Sequence, residues 1–385
     1  MHERTLAYLR GRFGDYYRRQ AIEPPPEADR REWGYVPWTE RPGETYVRHN
    51  SLLDLGDIDD FLARERPKHV YFSAGRYDDP SASTMEEKGW QRSDLIFDLD
   101  ADHLPSTSPD DSYAEMLAAC KDALRRLLDF LEDDFAFEDL TVVFSGSRGY
   151  HVHVRDGTVQ QLESDARREI VDYVRGIGLD PELVETTEMR GGVTRRALET
   201  EGGWGRRVHG HLLDYVDDLM AMAEDEAKVR LQELDGIGEE RASTVYGALE
   251  NNAEALEAGN IELGGVGLRT LLDGFVSEVV ERQNAPIDEP VSTDVNRLIR
   301  LPGSLHGGSA LEVQRIDPPD LDDFDPLVDA VPETFVGHEI RIDVTGPGPV
   351  ELYGDSFNLE AGESSVPEYL GAFLMARGRA EKAPE

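Results

Sequence analysis

The sequence contains a single cysteine, Cys120, so no disulfide can form within the chain. It has no run of about 18 apolar residues that could span a bilayer. Its first residues, Met-His-Glu-Arg-Thr, lack the apolar segment of a signal peptide. These absences exclude an intrachain disulfide and a membrane-spanning helix, and they predict a soluble, cytoplasmic protein that does not contact a membrane.

Positive charge is also scarce, because 40 Lys and Arg stand against 79 Asp and Glu, a formal net charge of −39. Nearly all basic residues are arginine, since lysine occurs only as Lys68, Lys88, Lys121, Lys228 and Lys382. This composition resembles that of proteins from salt-loving archaea, whose carboxylate-rich surface stays hydrated while concentrated salt screens its self-repulsion. We therefore interpret the acidity as an adaptation to solvent, which does not exclude a nucleic-acid partner.

Two aspartates on a predicted strand form the first candidate site. The alternation of Leu95, Phe97 and Leu99 predicts a strand with one face in a core. Asp98 and Asp100 then share the opposite face, where adjacent carboxylates repel each other unless a cation lies between them. Mg²⁺ suits such a pair, because it takes oxygen ligands and keeps positions for water and substrate phosphates. The alternative is a solvated acidic end of the strand.

A glycine turn between two further apolar runs predicts a hairpin and a second candidate site. The turn is Ser145-Gly-Ser-Arg-Gly149. Its small residues let backbone amides approach an anion, and Arg148 offers a planar fork that matches phosphate geometry. His151 and His153 share one face of the strand that follows. We interpret His151 as a candidate site residue, and His153 as a structural residue with its hydrogen bonds satisfied.

A third segment repeats this combination of charges far along the chain. Asp288 supplies a carboxylate, Arg300 supplies a cation, and His306 ends a turn. The pair Pro302-Gly303 forces the chain to turn, so His306 can approach Arg300. Taken together, the three acidic residues and the cationic donors are the components of a two-metal phosphoryl-transfer site.

These segments resemble the ordered motifs of the catalytic small subunit of archaeal and eukaryotic DNA primases. The resemblance is carried by Phe97-Asp-Leu-Asp100, Phe144-Ser-Gly-Ser-Arg-Gly-Tyr-His151, Asp288-Glu-Pro-Val-Ser292 and Arg297-Leu-Ile-Arg-Leu-Pro-Gly-Ser-Leu-His306. It extends from Arg31-Glu-Trp-Gly-Tyr35 to about residue 316. Several motifs in the same order, with a helical insertion before the third, are far more specific than any one of them.

The resemblance implies an α/β (α+β) fold with a primase-type catalytic core of mixed β-sheet flanked by helices. The predicted domains are a core at 1–160 and 281–350, a helical insertion subdomain at 161–280 and a C-terminal tail at 351–385. Within them we predict strands at 288–292 and 311–316, an edge strand at 340–344, and a succession of helices from 160 to 280.

The resemblance also implies a function and the residues that perform it. By motif, the metal ligands and catalytic acidic residues are Asp98, Asp100 and Asp288. The residues that hold the incoming triphosphate are Ser145, Arg148, His151, Arg300 and His306, with Arg48 and Glu32 also near the nucleotide. The implied activity is DNA-dependent synthesis of short primers by two-metal-ion nucleotidyl transfer, with two Mg²⁺ or Mn²⁺ ions. Implied partners are nucleoside triphosphates, a single-stranded DNA template, and a large subunit with an iron–sulfur domain that forms a heterodimer.

The chain departs from the family at one point. Relatives usually carry a zinc knuckle of cysteines and histidine after the Asp-x-Asp strand, and structural zinc takes four such ligands. This sequence offers only His103 and Cys120 there. We predict that the structural zinc is absent and that a helix packs in its place. The alternative is a non-canonical site that uses aspartates.

Two other functions remain open on the sequence. The chain could be a repair-type polymerase of the primase superfamily that extends existing ends. It could also be a non-catalytic nucleic-acid-binding module, in which the segment 231–242, similar to a helix-hairpin-helix, would bind DNA phosphates. For that segment the simpler interpretation is an ordinary helical hairpin.

Overall fold

A computed structural model of the chain describes residues 1–39, 45–108, 110–179, 184–190, 193–234, 236–262 and 265–384. The chain divides into two compact units. The first comprises Met1–Asp122, Glu138–Arg168 and Ile287–Glu385, and the second comprises Ala123–Phe137 and Glu169–Pro286. The domain functions and boundaries predicted from the sequence remain predictions.

Helices and strands alternate irregularly along the chain. The strands are β1 (Trp33–Val36), β2 (Val47–Asn50), β3 (His69–Ser73), β4 (Gly75–Tyr77), β5 (Trp90–Ser93), β6 (Leu95–Asp100), β7 (Leu140–Phe144), β8 (Gly149–Val154), β9 (Glu185–Arg190), β10 (Val193–Leu198), β11 (Leu298–Arg300), β12 (Gln314–Ile316), β13 (Glu339–Val344), β14 (Gly348–Leu352), β15 (Asp355–Leu359), β16 (Gly362–Pro367) and β17 (Ala380–Lys382). The helices are α1 (Glu3–Tyr17), α2 (Leu52–Leu55), α3 (Ile58–Glu65), α4 (Met85–Lys88), α5 (Tyr113–Asp129), α6 (Ser164–Val174), α7 (Gly203–Met220), α8 (Glu224–Gln232), α9 (Glu239–Asn251), α10 (Ala253–Glu257), α11 (Gly265–Gln283), α12 (Glu289–Thr293), α13 (Pro326–Asp329) and α14 (Glu368–Ala376).

The first unit contains two four-stranded sheets that carry the residues of interest. One, the β3 sheet, has the order β2-β1-β3-β11, and the other, the β6 sheet, has the order β6-β8-β7-β12. The predicted α+β class is confirmed. The strand pairs of both sheets are antiparallel, so the prediction of a mixed sheet is wrong. A short turn joins β7 to its antiparallel neighbour β8, whereas pairs such as β3 with β11 connect strands that are distant in sequence.

Strand β6 forms where the apolar alternation predicted it. Leu95, Phe97 and Leu99 are fully buried, whereas Asp98 and Asp100 keep part of their surface exposed. The predicted hairpin is also confirmed, because β7 and β8 pair directly across the glycine turn. The apolar face of β6 thus enters the core, and its acidic residues emerge on the other face.

Gly149 allows β8 to pair closely with β6. A Cβ atom at position 149 would lie 1.9 Å from the carbonyl oxygen of Leu99. We therefore expect Gly149→Ala to separate the two strands locally and to lower the free energy of unfolding by about 3 kcal/mol. Urea denaturation measures this difference against Gly157→Ala, where an added Cβ meets no atom within 4 Å. Equal stability of the two variants would contradict the expectation.

The strand predicted at 288–292 is wrong, because the chain forms helix α12 there. Asp288 is the N-cap residue and Pro290 lies in the first turn. Proline suits that turn, since the amide hydrogen that it lacks would have no helical partner. The strand predicted at 311–316 is confirmed only over β12.

The segment predicted as a tail is folded, and the edge strand predicted before it is a central strand. Strand β13 pairs with β16 on one side and with β17 on the other. The alternation of apolar and polar residues in β13 indicates that one of its faces is buried. In an antiparallel sheet this holds for edge strands and for central strands alike. Helix α14 is buried from Glu368 to Met375, so the C-terminal residues complete this part of the first unit.

The second unit is mainly helical, with α7 to α11, but β9 and β10 form an antiparallel hairpin that the succession of helices did not predict. Helices α8 and α9 form the helical hairpin predicted around 231–242, of which Asp235 lies outside the described residues. The first turn of α9 carries Glu239 and Glu240, whose charges oppose a phosphate at that helix end. No helix within the described ranges is both long and apolar enough to cross a membrane.

Candidate active site

The two aspartates of β6 lie beside the histidine of β8. Asp98 is opposite His151 in the strand register, and Oδ1 of Asp98 lies 3.4 Å from Nε2 of His151. Burial, together with the charges of Arg300 and Arg297, lowers the pKa of His151 to about 3. The imidazole is therefore neutral near pH 7, and it does not compensate the charge of Asp98.

Asp288 is brought to the same place by its backbone. Its amide nitrogen donates a hydrogen bond of 2.9 Å to the carbonyl oxygen of Asp98, across a large separation in sequence. The Asp288 side chain makes no capping hydrogen bond to α12, although it occupies the N-cap position. The main chain thus holds the third acidic residue beside the first two.

The concentration of negative charge changes the acidity of Asp98. Burial, followed by the charges of Asp100 and Asp288, raises the pKa of Asp98 to about 7, although Arg297 and Arg300 act in the opposite direction. A carboxylate in this state is incompletely neutralised by the residues around it. A bound cation would compensate this charge, as the sequence predicted for the aspartate pair.

The glycine turn brings Ser145 and Arg148 to the end of β8. The amide of Ser145 donates to the carbonyl of Gly149 (2.9 Å), and the hydroxyl of Ser145 accepts from the amide of Gly149 (3.2 Å). Arg148 forms an ion pair with Asp102 (2.6 Å), and both side chains are about 40% exposed. The turn is therefore rigid in its backbone, while its arginine remains accessible.

A second turn, 306–310, packs directly against this one. The hydroxyl of Ser309 donates to the carbonyl of Gly146. Gly146 has φ +78°, and a Cβ there would lie 2.7 Å from the Cβ of His306. Only glycine combines this backbone conformation with such a close approach. His306 therefore lies next to the turn that contains Ser145, as a site shared by these two segments requires.

Arg300 projects from β11 of the neighbouring sheet. Its Nη1 donates to Nδ1 of His69 (2.9 Å) and to the hydroxyl of Tyr71 (3.0 Å), and its guanidinium lies over the Tyr71 ring. Burial and the charge of Arg300 hold the pKa of His306 well below its usual value, so this imidazole is neutral as well.

Of the predicted site residues described so far, all except Asp288 line one cleft of about 380 Å³ in the first unit. Its lining residues come from both sheets and from the two turns, and they are Tyr46, Lys68, His69, Tyr71, Asp98, Leu99, Asp100, Ser145, Ser147, Arg148, Gly149, His151, Arg297, Leu298, Ile299, Arg300, His306 and Gly308. Carboxylates and cationic groups thus face one cleft that is large enough for a small molecule.

Two residues predicted near the nucleotide lie outside this lining. Arg48 is in β2 and pairs with Glu32, with its Nε 3.2 Å from Oε1 of Glu32. Glu32 is completely buried and also accepts from Lys88 and from the amide of His49. The structure therefore gives Glu32 a buried ion-pair role, and the nucleotide contacts of both residues remain predictions.

His153 differs from its predicted role. The residue is fully buried and stacks against Phe72, as a structural residue would. Neither of its ring nitrogens has a hydrogen-bond partner, so the prediction that its hydrogen bonds are satisfied is wrong. The neighbouring guanidinium of Arg155, which can only donate hydrogen bonds, is directed to Thr141 and Asp94 instead.

Sequence reasoning missed several residues of the cleft. Lys68, His69 and Tyr71 belong to β3 and its start, which the sequence analysis did not assign to a site. Two signals were present: Lys68 is one of five lysines among 40 basic residues, and polar residues occupy alternate positions of β3. Arg297, three residues before Arg300, also lines the cleft.

The acidic residues fit a divalent cation as partial ligands. No three His, Cys, Asp or Glu side chains in the described part of the chain already stand close enough to hold a metal ion alone. The donors around Asp98 are nevertheless carboxylate oxygens, and the pKa of Asp98 is raised. Such a set suits a hard cation that completes its coordination with phosphate and water. For the zinc position, His103 is exposed in a turn before α5 and Cys120 is buried within α5.

Comparison with known proteins identifies the family. The model of the DNA primase small subunit family matches residues 97–316. Curated proteins named DNA primase small subunit PriS from Haloarcula marismortui, Halorubrum lacusprofundi and Halobacterium salinarum are 66%, 60% and 59% identical to the chain, each over 100% of both sequences. The resemblance found in the motifs and in the acidic composition is therefore confirmed. The chain belongs to the DNA primase small subunit family, the catalytic nucleotidyltransferase subunit of primase, in a halophilic archaeon.

Proposed function

We propose that this subunit joins nucleoside triphosphates on a single-stranded DNA template in the cleft between the β3 and β6 sheets, and so makes short primers in the cytoplasm. The observation that carries the proposal is the convergence of Asp98, Asp100 and the Asp288 backbone with Arg148 and Arg300. Phosphoryl transfer needs oxygen ligands for cations at one end and fixed positive charge for the phosphates at the other.

Asp98, Asp100 and Asp288 would hold Mg²⁺ or Mn²⁺, as two ions. When bound, such ions activate the attacking hydroxyl and neutralise charge on the leaving pyrophosphate. The chain contributes a rigid strand that fixes two carboxylates and a backbone hydrogen bond that fixes the third. The neutral imidazole of His151, 3.4 Å from Asp98, orients that carboxylate without adding a competing positive charge.

Ser145, Arg148, His151, Arg300 and His306 would hold the triphosphate. Arginine keeps its charge at every physiological pH, and its planar fork can contact two phosphate oxygens at once. His306 is neutral and can donate one N–H, while the Ser145 turn offers small residues that let the phosphates approach the backbone. In this arrangement the phosphates are oriented from several sides before the reaction begins.

The partner would be a primase large subunit, in a heterodimer. Support comes from the relatives, which are named as small subunits and match the chain over their whole length. Initiation needs two nucleotides and no primer, so we propose that affinity for the first nucleotide depends on the partner. Dinucleotide synthesis by the isolated chain, at the efficiency of the heterodimer, would contradict this dependence.

A synthesis assay in concentrated KCl tests the proposal. Labelled nucleotides are supplied on unprimed and on primed single-stranded templates, with Mg²⁺, with Mn²⁺ or with a chelator. We expect primers on the unprimed template only when a divalent ion is present. Extension of primed ends alone would support the repair-type polymerase, and DNA binding without synthesis would support a non-catalytic module.

The same assay tests the triphosphate contacts. Arg300→Ala is expected to raise the KM for nucleotide about tenfold or more, because a charge-assisted contact to phosphate is lost. Arg282→Ala is the matched control, since Arg282 is exposed and pairs only with Glu278 among the described residues. A KM for Arg300→Ala equal to that of the control would remove Arg300 from the site.

A further inference from the structure

His69 occupies a central position among the groups that face the phosphates. It is buried at the start of β3, and its Nδ1 accepts from Nη1 of Arg300 (2.9 Å) and lies 3.3 Å from the donating amide of Gly307. Its ring also meets the ring of His306 edge-on, with centroids 4.8 Å apart. One imidazole thus contacts an arginine of β11 and two residues of the 306–310 turn.

The chemistry of these contacts fixes the state of the ring. A guanidinium and a backbone amide can only donate, so Nδ1 of His69 must carry a lone pair and the proton must be on Nε2. Burial, together with the positive charge of Arg300, holds the pKa of His69 well below its usual value, in agreement with a neutral ring. His69 therefore acts as a hydrogen-bond acceptor at Nδ1, toward Arg300 and Gly307.

These contacts leave part of Arg300 available. Nη1 makes the hydrogen bonds to His69 and Tyr71, and within the described ranges Nε and Nη2 make none. A guanidinium held by one nitrogen presents the other two in a fixed direction, which is the geometry that a bidentate contact to phosphate requires. The acceptor that holds Nη1 thus determines where the remaining donors lie.

The 306–310 turn is held by the same side chain. A Cβ on Gly307 would lie 2.6 Å from the carbonyl oxygen of Lys68, so the turn packs directly on the start of β3. The amide of Gly308 in turn donates to Nδ1 of His306 (3.1 Å). Gly307 directly follows His306, so its contact with His69 joins this end of the turn to β3.

We propose that His69 is a positioning residue for the nucleotide triphosphate, which holds Arg300 and the His306 turn in register through its Nδ1 acceptor. The inference rests on the proposed function, since it assigns His69 to the binding of the same triphosphate. His69 does not need to touch the substrate. Its effect on binding passes through the two groups that it orients.

Two polar substitutions of similar size test this role. His69→Asn places an amide oxygen near the position of Nδ1, whereas His69→Gln places its amide near the position of Nε2. Only the first can accept from Arg300 and Gly307. His209→Gln serves as the control for a purely structural histidine, because His209 is buried in the second unit and bonds the carbonyl of Leu256 (2.8 Å).

The heterodimer is assayed on a fixed template for the KM for nucleotide and for kcat, with tripolyphosphate as a competing probe. We expect His69→Gln to raise both the KM and the inhibition constant of tripolyphosphate about tenfold, with kcat changed less than about threefold. His69→Asn should recover most of this loss. In an Arg300→Ala background, His69→Gln should add less than about threefold, because the two residues act as a unit. His209→Gln should lower the melting temperature and leave the KM unchanged.

Equal losses for His69→Asn and His69→Gln, or a fall in kcat with an unchanged KM, would overturn the proposal. So would full additivity with Arg300→Ala. If the wild-type heterodimer made no primers, the proposed function would fail instead. Calorimetric binding of tripolyphosphate by the same variants would still decide whether Nδ1 of His69 supports an anion site.

Discussion

Primer synthesis should fall by about 10³-fold or more when Asp98 is replaced by asparagine, because the variant loses a charged oxygen ligand at the centre of the acidic cluster. Asparagine keeps the size of the side chain and its place on β6. The expected loss therefore lies in kcat, and DNA binding should persist. Steady-state synthesis on an unprimed template, with a parallel binding measurement, gives both numbers.

The same substitution should make the metal-free protein more stable. The pKa of Asp98 is raised to about 7 by burial and by the neighbouring Asp100 and Asp288, so its carboxylate is held at an energetic cost. Removing one of three like charges should raise the free energy of unfolding by about 1 kcal/mol in the presence of a chelator. Thermal unfolding measures this gain.

Asp165→Asn is the matched control for both measurements. The Asp165 side chain is fully exposed and approaches Arg168 only at 3.7 Å. Its replacement should leave synthesis within error of the wild type and should not raise the stability, because Asp165 lies in the first turn of α6. Retention of more than about a tenth of the activity by Asp98→Asn would contradict a role for Asp98 in holding the ions. Unchanged stability would contradict the electrostatic cost.

Asp94→Ala is expected to destabilise the first unit by about 3–5 kcal/mol, because it leaves buried guanidinium groups without their counter-charge. Asp94 is fully buried, and its carboxylate accepts from Arg31 (2.8 Å) and from Arg76 (2.7 Å). Both arginines are themselves buried. Urea denaturation in concentrated KCl measures the loss, with Glu363→Ala as the control, since the Glu363–Arg341 pair is more than half exposed.

The stabilisation by Asp94 should also depend on pH in one direction. Burial alone would raise the pKa of Asp94, but Arg31, Arg76 and Arg155 hold it below its ordinary value. A carboxyl whose pKa is lowered in the folded state stabilises the fold at pH values above its unfolded pKa of about 3.9. This contribution disappears as the pH falls through the pKa of the folded state. The stability difference between wild type and Asp94→Asn should therefore be constant near neutrality and narrow below about pH 4. A difference that grew on acidification would contradict this assignment.

Local features of the site could be predicted from the sequence because short-range patterns encode them. The alternation along β6 placed Asp98 and Asp100 together on one face, and the glycine turn placed Arg148 at the end of a hairpin. Both depend on residues close to one another in the chain. The order of the motifs then identified the family, which the comparisons confirm.

Long-range features could not be predicted in this way. At Asp288 the local signal of Pro290 favours the first turn of a helix, but the hydrogen bond that brings Asp288 to Asp98 joins segments far apart in sequence. The alternation of residues in β13 is the same whether the strand has one neighbour or two, so its pairing with β17 could not be predicted from the sequence. His69 was missed for a related reason: its partner Arg300 comes from a distant strand.

The hairpin of β9 and β10 is a different kind of error. Two runs of residues that favour strands flank the Arg190-Gly-Gly192 segment, and such a glycine pair is a hairpin signal. The prediction of a succession of helices from 160 to 280 treats this segment as a break between helices. The local pattern was informative there, and the neighbouring helices outweighed it.

The hydrogen bond from the amide of Asp288 to the carbonyl of Asp98 has an evolutionary consequence. Since the link uses only main-chain atoms, it tolerates any amino acid except proline at position 288 and is indifferent to how much polypeptide lies between its ends. Insertions, deletions and substitutions in the intervening helical region can therefore accumulate during evolution without changing the geometry of the acidic cluster. A variant in which a short linker replaces that region, and in which this hydrogen bond is retained, would test this tolerance directly.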